Sequence, residues 1–176
     1  MNLEPTPAAA DVHSFEFEAL EHAVRYRQAL IREFTPYLRG AVLEVGSGVG
    51  HMTQLLKEGP AVRRLVALEP TSSFHPKLRQ VLPEEAIVHG TIGDIPQKDW
   101  DSIVCVNVLE HIEDDKGELR QYSDRLKNQR GHLCLFVPAR QEIYAPIDRD
   151  FGHYRRYRRR ELAEKLSNAG FTPVRL

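Results

Sequence analysis

Apolar residues set the element pattern of this chain. From Phe15 onward Leu20, Val24, Ile31, Phe34 and Leu38 fall near helical spacing, with charges between them. The spacing predicts an amphipathic helix that Pro36 kinks or splits and Gly40 closes. Beyond Gly40 the pattern changes to short apolar runs. Ala41–Val45, Arg64–Leu68, Ala86–His89, Ser102–Asn107 and His132–Val137 read as strands, and Phe171–Leu176 as the start of a sixth. Between them His51–Lys57, Phe74–Val81, Lys116–Leu126 and Glu161–Asn168 read as helices. Pro76 suits the first turn of the second of these, and Gly170 suits the end of the last. Ser102–Asn107 is apolar and β-branched enough to be buried on both faces.

Strands separated by helices predict βαβ units with right-handed crossovers. The expected fold class is α/β, a Rossmann-like doubly wound, mainly parallel sheet with helices on both faces. The sheet stops after the start of its sixth strand. That bare edge predicts either a homodimer that covers it or a longer chain that completes it. The expected division is a loose Pro- and Ala-rich tail over 1–12, an N-terminal helical lid over 13–40, and a cofactor-binding domain over 41–176. The bland alternative for the lid is a helix packed on the core.

Composition adds limits. At 176 residues, 41% of them hydrophobic and 28% charged, the chain suits one soluble domain. Its net charge of -1 gives no global attraction to nucleic acid or a membrane surface. No apolar run is long enough to span a bilayer, and the N-terminus lacks the basic and apolar parts of a signal peptide. Cys105 and Cys134 lie inside apolar runs and read as buried free thiols, so a cytoplasmic location is expected. No metal site is assigned.

The chemistry starts at Val42–Gly50. An apolar strand with Glu44 in it runs into Gly46, Ser47, Gly48 and Gly50, and a helix follows. Such a turn is where open α/β sheets bind nucleotide-like cofactors. A dinucleotide fingerprint wants its third glycine where His51 stands, which disfavours a nicotinamide-dependent oxidoreductase. A phosphate-binding loop would need a lysine that is absent here. Glu44 suits a positively charged ligand instead. Glu69, 23 residues after Gly46 at the end of the second strand, can accept from ribose hydroxyls. Asp94 can accept from an adenine amino group, with Ile95 packed on the ring. Ribose, adenine and a cationic, non-phosphorylated tail together describe S-adenosylmethionine.

In the ordered set Val42–Gly50, Ala67–Pro70, Asp94, Asn107–Asp115 and Gly152–Tyr157, the chain resembles class I S-adenosylmethionine-dependent methyltransferases, the small bacterial enzymes above all. The resemblance runs from about Tyr26 to Leu176. It implies that Gly46, Ser47 and Gly48 line the methionine part, with Gly50 completing the turn and Glu44 reaching its amino group indirectly. Glu69 would bind the ribose, while Pro70, Asp94 and Ile95 would hold the adenine. Asn107 and Val108 would offer backbone, and Tyr26 would lie near the cofactor carboxylate, although Ala29 replaces the family's usual tryptophan. Glu110, on the cofactor side, and His111 would sit at the border between cofactor and acceptor. S-adenosylhomocysteine would be the product.

The other unusual stretch is Asp148–Arg160, with six arginines from 149 to 160 interleaved with aromatics. One reading makes His153, Tyr154, Arg155, Arg156 and Tyr157 a wall for a polar or anionic small-molecule acceptor. Another pairs the arginines with Asp148, Asp150 and Glu161. Nucleic acid, through stacking and phosphate contacts, is the least favoured. His111 and His153 are the acid–base candidates, and Asp114 and Asp115 read as charges favourable to a helix N-terminus. The expected function is in-line methyl transfer to an unidentified acceptor. The alternative is a cofactor-binding regulatory or assembly protein without catalysis.

Overall fold

The computed structural model describes residues 22–127 and 130–176. The tail expected over 1–12 and the helical segment before His22 lie outside the described residues. The strands are β1 (Gly40–Val45), β2 (Val62–Leu68), β3 (Ile87–Val88), β4 (Ser102–Val106) and β5 (His132–Phe136). The helices are α1 (Val24–Phe34), α2 (His51–Lys57), α3 (His75–Leu78), α4 (Asp115–Arg125), α5 (Pro146–Asp150) and α6 (Arg159–Asn168).

All strand pairs are parallel, in the order β3-β2-β1-β4-β5. The chain winds outward from β1 to β3, then returns to add β4 and β5 on the other side. The order therefore reverses between β1 and β4, and a crevice opens there at the carboxyl ends of the strands. Both faces of the sheet are covered, which is why the central strands are apolar on both faces apart from Glu44 and Ser102. Leu43, Val45, Leu68, Ile103 and Cys105 pack with Leu119 and Tyr122 of α4 and Leu166 of α6. Their alternates Val42, Leu65, Ala67, Val104 and Cys134 pack with Leu30 and Phe34 of α1, Met52 and Leu56 of α2 and Leu78 of α3. Glu44 shares the second face, two residues on from Val42.

The expected sixth strand does not form. Phe171 donates its N–H to the Leu166 carbonyl at 3.0 Å and Gly170 to Ser167 at 3.1 Å, with Gly170 at φ +91°. This is a Schellman end for α6, and it takes the first residue the strand needed. Residues 172–176 follow without regular structure, and Arg175 pairs with Glu33 at 2.6 Å on α1. The helix expected over Phe74–Val81 shortens to α3 and a preceding 3-10 turn. α5, with proline at its start, is too short to leave a period in the sequence. No helix among the described residues is long and apolar enough to cross a membrane. Both cysteines are buried and free.

Candidate active site

The turn after β1 is pinned to β2. Gly46 and Ser47 donate N–H groups to the Leu68 carbonyl at 2.8 and 3.2 Å. Gly46 has φ +68°, and a Cβ there would lie 2.3 Å from Val108 Cγ2. Glycine is thus required twice over, by conformation and by the close approach of the segment after β4. Gly48, at φ +55°, donates its N–H to Glu69 Oε2 at 2.8 Å, and Thr71 N–H donates to Oε1 at 2.8 Å. The buried Glu69 carboxylate therefore joins the turns after β1 and β2. Gly50, also at positive φ, opens α2.

Three polar atoms beside this turn are buried without a hydrogen-bond partner: Glu44 Oε2, Ser47 Oγ and Thr53 Oγ1. Burial pushes the Glu44 carboxyl up to about 8, the nearby Thr53 hydroxyl opposes the rise, and the Glu69 charge adds to it. Unpartnered buried polar atoms are costly and uncommon in folded proteins. A carboxyl and two hydroxyls buried without partners beside a glycine turn fit a polar ligand.

Across the crevice, Asn107 ends β4 at φ +53°, an uncommon conformation for a residue with a side chain. Its N–H donates to the Phe136 carbonyl at 2.9 Å, and its Nδ2 donates to the Tyr26 hydroxyl at 3.4 Å. Tyr26 of α1 thereby reaches the switch point, although Ala29 is exposed. Leu109–His111 form one 3-10 turn in which Glu110 is buried. Toward β3, Pro70 is exposed and its carbonyl lies 2.7 Å from His89 Nε2. Asp94 is exposed and closes its own turn, accepting from Thr91 N–H at 2.8 Å and Thr91 Oγ1 at 3.1 Å. Those bonds hold its carboxyl below the usual range. Ile95 differs from expectation. Its side chain is 2% exposed and packs in the core with Ile92, its N–H donates to the Ile92 carbonyl at 3.2 Å, and its carbonyl accepts from Arg125 Nε at 2.8 Å.

In the arginine-rich segment the alternative of pairing with Asp148 forms, and Asp115 takes further donors. Arg155 donates to the Ile112 carbonyl at 2.7 Å and pairs with Asp115 at 3.2 Å. Arg156 Nε pairs with Asp148 Oδ1 at 2.7 Å. Tyr157 is buried, and its hydroxyl donates to Asp115 Oδ2 at 3.0 Å. Of the four residues expected to hold an acceptor, Tyr154 is the exposed one. The reason is electrostatic: the buried carboxylates of Asp115 and Asp148 draw in these donors. Asp115 also binds Lys165 of α6, so it does far more than favour a helix N-terminus. Asp114 fills that role, accepting the Gly117 N–H at 2.9 Å.

The two expected acid–base residues do meet. The rings of His111 and His153 stand edge to face, 4.6 Å between centroids. His153 Nδ1 lies 3.1 Å from Asp148 Oδ1, and Tyr154 N–H donates to the Glu110 carbonyl at 2.8 Å. A separate groove of about 510 Å³ runs between α1, α2 and α3. Of the residues expected to bind the cofactor, it touches Gly50 alone.

A family model described as a methyltransferase domain matches residues 20–176. The chain belongs to this family. It is a class I S-adenosylmethionine-dependent methyltransferase domain, with S-adenosylmethionine as cofactor and S-adenosylhomocysteine as product. No curated protein matches it. Solved structures do. An S-adenosylmethionine-dependent methyltransferase of Thermotoga maritima is 20% identical with a TM-score of 0.71, over 94% of this chain and 79% of that one. Another from Archaeoglobus fulgidus is 18% identical with a TM-score of 0.73, over 93% and 76%. The 1,6-didemethyltoxoflavin-N1-methyltransferase of Burkholderia thailandensis, solved with S-adenosylhomocysteine bound, is 22% identical with a TM-score of 0.64, over 99% and 83%. At these identities the likeness establishes the fold of the methyltransferase domain.

Proposed function

We propose that this methyltransferase domain transfers a methyl group to an oxygen or nitrogen of a polar or anionic small molecule. One observation carries the reading. The glycine turn, the buried acids Glu44 and Glu69, and the His111–His153 pair all lie at the ends of the central strands, β1 and β4 above all.

In this reading the backbone of Gly46, Ser47, Gly48, Asn107 and Val108 holds the methionine part of the cofactor. Glu44 reaches its amino group indirectly, and Tyr26 lies near its carboxylate. Glu69 accepts from the ribose, while Pro70, Asp94 and the backbone of Ile95 border the adenine. When bound, S-adenosylmethionine supplies a methyl group already activated by its sulfonium. The protein's task is then alignment, worth about 7–11 kcal/mol in the best cases. His111 and His153, with Glu110 and Tyr154 beside them, form the acceptor side. Their imidazoles are the groups able to activate an acceptor hydroxyl as its proton leaves. A general base contributes roughly 10²–10⁴-fold to such a step.

Calorimetry with S-adenosylmethionine and S-adenosylhomocysteine, on wild type and Glu69→Ala, tests the reading. Wild type should bind both. Loss of a charged hydrogen bond of about 1.5–3 kcal/mol should weaken the variant roughly 10–100-fold. A wild-type protein that binds neither would overturn the proposal.

A further inference from the structure

Glu110, His111 and His153 are brought together by the fold, although His153 stands 42 residues from its histidine partner. One ligand atom from each lies within 4.8 Å of the other two. The floor of this cluster is dry. Glu110 is 1% exposed and His153 is 9% exposed. His111 is half-buried, and Gly152 and Tyr154 beside it are exposed, so the cluster opens on the acceptor side.

The orientation of His153 is the informative feature. Its Nδ1 faces Asp148 Oδ1 at 3.1 Å, and Asp148 also accepts from Arg156 Nε at 2.7 Å and Ala145 N–H at 2.8 Å. A carboxylate held in this way accepts from an imidazole and cannot donate to it. In the neutral imidazole the proton therefore sits on Nδ1, and Nε2 presents a lone pair. That Nε2 is buried and has no hydrogen-bond partner. Leaving such an atom unsatisfied costs about 1–3 kcal/mol. A histidine with a carboxylate behind one nitrogen and an open lone pair on the other has the outer-sphere arrangement of metal-ligating histidines.

We propose that Glu110, His111 and His153 bind one divalent transition-metal ion of the zinc class. Two imidazoles and one carboxylate form the donor set of catalytic zinc sites, which keep a further position open. Hard ions such as magnesium and calcium prefer oxygen donors throughout. The side chains draw closer as the ion binds, with the less buried His111 moving most. An ion here faces the acceptor and polarises an acceptor oxygen, and it takes the place of the imidazoles as the activating group, since it occupies their lone pairs. That role rests on the methyl-transfer reading, whereas the binding itself does not.

The test uses untagged full-length protein stripped with EDTA. Zinc is titrated in competition with a chromophoric chelator, and cobalt uptake is followed by its visible absorption. One ion per chain is expected. His111→Gln and His153→Gln should each weaken binding at least tenfold, and Asp148→Asn, which acts through His153, roughly 10–100-fold. His111 is not deeply buried, so its variant keeps the fold, which a thermal unfolding curve verifies. No stoichiometric uptake by wild type, or unchanged affinity in His111→Gln, would overturn the proposal. S-adenosylhomocysteine calorimetry on the same samples separates the two readings. Nucleoside binding without metal uptake removes the metal site alone, and metal uptake without nucleoside binding removes the methyl-transfer reading alone.

Discussion

Glu44 carries a carboxyl that burial raises to about 8 from an ordinary value of 4.5, with one oxygen unpartnered. The folded state therefore favours the proton. The stability linked to it is complete below the unfolded pKa near 4.5 and is lost as pH rises through about 8. Glu44→Gln keeps the shape and removes the ionisation. The variant should gain stability relative to wild type between pH 5 and pH 9, by roughly 1–3 kcal/mol. Thermal unfolding at the two pH values reads this as a shift of about 2–10 °C. A difference that stays flat with pH would mean that the carboxylate is ionised and satisfied. The same variant should weaken S-adenosylmethionine and S-adenosylhomocysteine alike, because both carry the amino group that Glu44 reaches. Calorimetry with the pair checks this. The placement of Glu44, Gly46 and Glu69 around one turn was legible from the sequence, because each stands at or beside a strand end. The roles of Asp115, Arg155 and Tyr157 were not, because their bonds span 42 to 50 residues of chain.

Among the elements, the turn between β1 and α2 has the least room. Gly46→Ala meets both a left-handed backbone and the Val108 side chain. It should lose about 1–2 kcal/mol from conformation alone, and more from the clash. Val108→Ala should restore only the second part, so a double-mutant comparison by chemical denaturation separates the two. α4 and α6 are tied to the arginine segment through Asp115. Burial raises that carboxyl, but the bond and charge of Lys165, the charge of Arg155 and the Tyr157 hydroxyl outweigh it and hold it below the usual range. Its contribution is present above the unfolded carboxylate range and is lost as pH falls through the lowered folded value. Asp115→Ala should cost roughly 3–5 kcal/mol at neutral pH by removing the buried carboxylate that Arg155, Lys165 and Tyr157 share. Denaturation midpoints at pH 7 and in acid should show that difference shrinking. The helices and strands that bury a whole face were legible as periods. α5 and the end of α6 were not, because one is a single short turn and the other is decided by a cap at Gly170.

For the whole molecule, a ligand that binds only the folded state stabilises it by mass action. Saturating S-adenosylhomocysteine at a hundred times its dissociation constant should add about 2.7 kcal/mol. That corresponds to a rise of about 5–10 °C in unfolding temperature, readable by differential scanning fluorimetry. Absence of any rise would contradict a preformed site.

The alternation of apolar strands and amphipathic helices determined the α/β class by itself. The glycine turn with its following acids determined the cofactor expectation, since strand ends, turns and caps are local. Two outcomes needed the tertiary structure. The sheet order brings Glu110 and His111 after β4 beside His153 after β5, across a distance in sequence that no spacing rule covers. Competition for buried carboxylates turned Arg155, Arg156 and Tyr157 inward. Which partner wins such a contest depends on burial, and burial exists only once the chain has folded.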